Sequence, residues 1–151
     1  MVNIRREKII LVFIIITAAL LRLWGINFGL PYLFHQDEPI VVNHALAYGT
    51  GDLNPHFFVI PPLASYILFF FYCIYFAVLK ISGSVGDAGS FAVSFFKDPT
   101  PFYLIGRFIA GFLPSLGSVY LTYRLALKVF SKRAALYSCL LMAVAFLNVA
   151  N

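Results

Sequence analysis

The stretch IILVFIIITAALL, residues 9–21, decides the class of this protein. It contains no charged residue and follows the basic flank Arg5, Arg6 and Lys8. A helix through it continues past Arg22, Leu23 and Trp24 towards Phe28, which meets the roughly 20 residues a membrane-spanning helix needs. Arg22 then lies near the outer end, where its long stem lets the guanidinium snorkel to the interface. A cleaved signal peptide shares the basic flank and apolar core. No small-x-small cleavage site follows, however, and more apolar segments come later, so 9–28 reads as an uncleaved first helix.

The whole chain agrees with its first segment. Of its 151 residues 62% are hydrophobic and only 11% charged, with a mean hydropathy of +0.90. Soluble domains carry about a quarter charged residues, so lipid is the expected solvent for most of this chain. The net charge of +5 is therefore read by position, as a topology signal. No basic face interleaved with exposed aromatics is present, which argues against nucleic acid as a partner. Cys73 and Cys139 lie in apolar segments and read as small packing residues, not a disulfide.

Further along, residues 29–101 form a long outer loop. Asp37 is placed to cap a short amphipathic helix near 38–48, with Pro39 in its first turn and Gly49 and Gly51 ending it. Ile40, Val41, Ala45 and Tyr48 share one side of that helix, as suits a membrane surface. Pro61-Pro62 opens a second helix, 62–80, apolar enough to span. The glycine- and serine-rich 82–90 reads as a flexible linker. A spanning helix at 102–126 ends in Arg124, Lys128, Lys132 and Arg133, the densest basic cluster. Both basic flanks belong in the cytoplasm, so an even number of crossings separates them. Helix 9–28 going out and 102–126 returning make two, which leaves 62–79 in the outer interface. A last helix, 134–151, crosses outward again. It stops at Asn151 without a polar tail, as an N-terminal portion of a longer polytopic protein would.

Three groups could carry chemistry. The first is Asp37-Glu38, with His35 two residues before Asp37 and His44 one heptad after it. A carboxylate here can act as general base or bind a divalent metal, with Asp37 the candidate ligand. It can equally well do no more than cap a helix. The second is His56, beside the double proline, either a contact for phosphate or sugar or an exposed turn residue. The third is Arg107, an ionisable residue within a membrane segment. It can pair with Asp37 or Glu38, clamp a lipid phosphate, or snorkel. Gly106, Ala110, Pro114 and Gly117 form a small-residue stripe suited to helix packing. No phosphate-binding glycine loop, zinc-type Cys/His spacing or Ser/His/Asp set occurs.

Asp37-Glu38 after the first helix, then NPHFFVIPPLASY (54–66), then IGRFIAGFLPSLGSVYLTYRLALKVFSKRAALYSCLLMAVAF (105–146), resembles the N-terminal region of the GT-C membrane glycosyltransferases. The protein O-mannosyltransferase and aminoarabinose transferase groups are the most similar. The resemblance implies an all-α polytopic fold of about three spanning helices here, with juxtamembrane helices in the outer loop. It implies an enzyme of the bacterial cytoplasmic membrane or endoplasmic reticulum, with a cytoplasmic N-terminus and the acidic loop outside. The implied reaction moves a sugar, with inversion, from a polyprenyl-phosphate donor to a protein or glycolipid acceptor. Asp37 would activate the acceptor or bind a metal, Glu38 would support it, and Arg107 would hold the donor phosphate or the acidic motif. Some relatives carry a lysine before the Pro-Pro element. Ile60 stands there, which leaves His56 as a substitute. A second acidic residue is expected beyond Asn151, so 1–151 alone would lack a complete site and activity. A transporter or lipid flippase gated by Asp37, Glu38 and Arg107 is the alternative, and a structural subunit with capping acids a third.

Overall fold

A computed structural model describes residues 4–33 and 37–145. The protein is all-helical, with no strand among the described residues. Its α-helices are α1 (Ile4–Leu23), α2 (Glu38–Ala47), α3 (Leu63–Ile81), α4 (Ala88–Lys97), α5 (Thr100–Gly106), α6 (Leu113–Val129) and α7 (Lys132–Val144). A π-helical turn, Arg107–Phe112, joins α5 to α6 in one continuous helix of 30 residues. Two described helices are long and apolar enough to cross a membrane, Leu63–Ile81 and Thr100–Val129.

The first helix begins and ends earlier than the expected 9–28. Arg5, Arg6 and Lys8, all good helix formers, extend it back to Ile4. It stops at Leu23 because Gly25 turns left-handed, at φ +83°, a conformation that glycine adopts without steric cost. The last three residues of the linker expected at 82–90 are helical. Asp87 Oδ1 accepts from the Ser90 amide at 2.7 Å while Ser90 Oγ accepts from the Asp87 amide at 3.0 Å, a capping box that starts α4. Ser131 caps α7 by a single bond, its Oγ accepting from the Ala134 amide at 3.4 Å, which places the start of α7 before residue 134. Pro114 accounts for the π turn. It has no N–H to offer the Ala110 carbonyl and its ring crowds that carbonyl, so the preceding turn widens.

The residues divide into two compact units, Met1–Ile26 with Gly111–Asn151, and Asn27–Ala110. In the first, α1, α6 and α7 pack through Ile14, Ala18, Val119, Tyr123, Ala126, Ala135, Cys139 and Ala143. Ala135, Cys139 and Ala143 are wholly buried at four-residue spacing. Small side chains at that spacing let helix backbones approach closely. Of the expected stripe only Gly106 is buried. Ala110 and Pro114 are exposed, and a methyl added at Gly117 would meet nothing within 4 Å. Cys73 is exposed and not a packing residue, and both thiols are free.

The buried edge of α1 runs Glu7, Leu11, Ile14, Ala18, Arg22, and its two ends are charged. Glu7 accepts from Tyr123 Oη at 2.8 Å and Lys132 Nζ at 2.9 Å. Arg22 does not snorkel: it is 5% exposed. Its Nε donates to Ser115 Oγ at 2.6 Å and its Nη1 to the Ala18 and Ala143 carbonyls at 2.9 and 3.1 Å. The Ala143 carbonyl is one of those left over at the end of α7, so the guanidinium caps a neighbouring helix.

In the second unit α2, α3 and α5 pack through Val42, Ala45, Leu68, Tyr72, Phe102 and Tyr103. Of the expected apolar side of α2, Ala45 and Tyr48 are buried and Val41 packs partly against the core, while Val42 takes the remaining buried place; the protein itself covers this face. Phe102 stands at the centre of edge-to-face contacts with Tyr72, Tyr75 and Phe95, each contributing about 0.5–1.5 kcal/mol beyond burial. Gly106 is buried where α5 faces Val42 of α2 and Leu68 of α3, at a spacing that would admit a methyl group in ordinary contact. A Cβ there would lie 3.6 Å from Val42 Cγ2 and 3.7 Å from Leu68 Cδ2.

Cys139→Leu should therefore lower the unfolding temperature in detergent, overpacking costing about 1–3 kcal/mol, while Cys139→Ala stays close to wild type. Equal melting of the two variants would show that α7 does not pack through this stripe.

Candidate functional site

The candidate site starts at α2. Asp37 occupies its N-cap position, is exposed, and makes no side-chain cap hydrogen bond to the helix. The capping role expected for its carboxylate is thus not the one it plays, although its carbonyl accepts from Val41 N at 3.4 Å. Glu38 opens the helix, with Pro39 behind it in the first turn.

Both Glu38 oxygens face one guanidinium. Arg107 Nε donates to Oε1 at 2.6 Å and Nη2 donates to Oε2 at 2.9 Å. The side chains are 19% and 24% exposed, so the pair is largely withdrawn from water. Arg107 Nη1 also donates to the Phe28 carbonyl at 2.8 Å. A planar guanidinium meets a carboxylate by two parallel bonds, which fixes orientation as well as distance. One arginine at the start of the π turn thereby ties the segment after α1 to the first residue of α2. Of the partners open to Arg107 from sequence, the structure brings it to Glu38. His35 lies outside the described residues.

His56 lies elsewhere on the second unit, in the turn before Pro61. Its Nε2 is 2.8 Å from Asp52 Oδ2, and the two side chains are 69% and 59% exposed. Its backbone is left-handed, at φ 53°, held by a bond from its amide to Asn54 Oδ1 at 3.0 Å. The adjoining His56 ring, together with the Asn54 amide, holds the Asp52 carboxyl below its usual range. Asp52 was not singled out in the sequence, although an acid four residues before a histidine is the one available signal for the pair. Tyr66 Oη anchors the same loop through the Leu53 carbonyl at 2.8 Å. Next to the loop, His44, Phe57, Ile60 and Pro62 line a narrow hollow, and the His44 and Phe57 rings lie 5.5 Å apart.

The donor set for a metal is thin. Among the described residues no three His, Cys, Asp or Glu side chains gather, and Glu38 is committed to Arg107. A divalent ion held by protein oxygens takes several at once, so one at Asp37 would need further donors from outside the described residues.

Arg107→Ala should destabilise the protein by about 2 kcal/mol, the scale of charge-assisted bonds lost from one side chain. The reversed pair Glu38→Arg with Arg107→Glu should regain part of that loss. A double-mutant cycle on thermal melting measures the coupling, and additive single effects would mean that the pair contributes nothing to stability.

Comparison with family models, with curated proteins and with solved structures returned no match.

Proposed function

We propose that this chain is part of an integral-membrane glycosyltransferase that uses a polyprenyl-phosphate sugar, with Asp37 as the acceptor-activating carboxylate. The observation that carries this reading is the two-bond clamp of Arg107 on Glu38. It holds rigid the residue next to Asp37, while the Asp37 side chain takes no part in capping α2. In the transfer, Asp37 takes the proton of an acceptor hydroxyl or amine as that atom attacks the anomeric carbon. The sugar–phosphate bond breaks on the opposite face and the polyprenyl phosphate leaves, so configuration inverts. Glu38 is a positioning residue for Asp37. Arg107 serves the acidic motif in preference to the donor phosphate, and His56, steadied by Asp52, is the candidate contact for that phosphate. The position of Arg107, near the start of Thr100–Val129, favours an enzyme over a transporter, whose charged site belongs near the bilayer midplane.

The topology has support of its own. Glu7 bonds both Tyr123 and Lys132, so the start of α1 and the end of α6 share one end of their unit. That is what two crossings in opposite directions require. The 10 residues of α4 rise about 15 Å, half of the hydrocarbon thickness, so α4 cannot supply a compensating crossing. On this reading α3 lies in the outer interface despite its length.

Membranes containing the protein should transfer sugar from a polyprenyl-phosphate donor. Asp37→Ala should remove that activity by at least the 10²-fold typical of a lost general base. Unchanged turnover in the variant would end the assignment, and chelation by EDTA in the same assay separates proton transfer from metal binding at Asp37. A reporter inserted at 82–90 should lie outside the cytoplasm. A cytoplasmic signal would mean that Leu63–Ile81 crosses.

A further inference from the structure

The cations of this chain are split in sequence between its first residues and 124–133, and the fold reunites them. Through Glu7, which bonds Lys132 and Tyr123, exposed Arg6 and Lys8 come to the same end of the α1–α6–α7 unit as Arg124, Lys128, Lys132 and Arg133. Glu7 is the one acid described in that unit, and its two oxygens are already engaged by Tyr123 and Lys132. Positive charge alone would describe a solvated helix end. Two further features of α6 give it a more specific character.

The first is a held arginine. Arg124 Nη1 donates to Tyr120 Oη at 3.0 Å, and the guanidinium lies 5.9 Å from the centre of that ring. Its conformation is thus set before any ligand arrives, which reduces the ordering cost of binding. Lys128 follows four residues on, along the same line of the helix. The second is an apolar strip directly beside these cations. Leu121, Leu125 and Val129, again at four-residue spacing, are 58%, 63% and 74% exposed. A cationic pair at the end of an exposed apolar strip matches a molecule with one anionic phosphate and a hydrocarbon tail.

We infer that the α6 end of this unit binds an anionic phospholipid, its phosphate between Arg124 and Lys128 and an acyl chain along Leu121 and Leu125. A zwitterionic lipid brings its own ammonium against these cations and fits less well. Inorganic phosphate lacks the tail. The inference rests on the membrane part of the proposal above and on none of its transfer chemistry, so loss of sugar transfer and loss of lipid binding are separable results.

The test is a titration of the full chain in dodecyl maltoside with fluorescent phosphatidylglycerol, with fluorescent phosphatidylcholine as reference. Phosphatidylglycerol should bind more tightly. At about 1 kcal/mol for each cation near an anionic headgroup, Arg124→Gln with Lys128→Gln should weaken it about 30-fold and leave phosphatidylcholine unchanged. Equal binding of the two lipids, or wild-type affinity in the double variant, would overturn the site. Should the double variant not fold, about 0.5 M NaCl on the unaltered chain is the second measurement, because the charge attraction is then screened beyond about 4 Å. The preference for phosphatidylglycerol should fall, and its persistence at that salt would equally overturn the inference.

Discussion

A guanidinium in apolar surroundings needs a partner whose geometry matches its own, since breaking a buried ion pair costs several kcal/mol. Arg107 meets that requirement with Glu38, and the second unit is arranged around the result. The bond sets the register between the α5 end of the long helix and the start of α2. It also gathers the Phe28 carbonyl, so the chain leaving α1 is tied at the same point. The aromatic packing on Phe102 fills the space where α2, α3 and α5 meet. Asp37 inherits its place from this arrangement, one residue before the clamp and outside the helix it precedes.

The same constraint shapes the other unit with different partners. α1 buries an edge that begins with an acid and ends with a base. Glu7 finds a lysine and a tyrosine hydroxyl from other helices. Arg22 finds a serine hydroxyl and helix carbonyls. Carbonyls at the end of a helix carry partial negative charge, so they can take the place of an acid. Between these polar ends the helices are held by small side chains in close contact. Polar contacts at the ends set which helices meet, and the Ala135–Cys139–Ala143 line sets how closely.

Much of the helix content was legible in the residues. Apolar length located α3 and the long helix, and Pro61-Pro62 marked the start of α3. The capping box at Asp87 and Ser90 was legible too, but glycine and serine around it resemble a linker, and α4 was missed there. The errors of detail share a cause. Arg22 reads as a snorkelling residue because its long stem always permits that, and only the surrounding helices show that a better set of acceptors is within reach. On α2 the sequence places Ala45 and Tyr48 on the apolar side but not Val42, since apolar residues lie on more than one side of it. The small-residue stripe was placed at Gly106 to Gly117 by residue type, whereas α7 uses alanines and a cysteine for the same purpose.

By itself the sequence determined the class: long apolar runs with few charges specify an all-helical chain, because a helix satisfies every backbone polar group within its own segment. It also determined where the rare charges lie along those helices. Which charge meets which was decided only by the tertiary structure. Glu38 and Arg107 are 69 residues apart, and Glu7 and Lys132 are 125 apart. No local periodicity records such separations. The partners are chosen when packed helices exclude other acceptors and leave one geometry in which each buried charge finds matching hydrogen-bond partners.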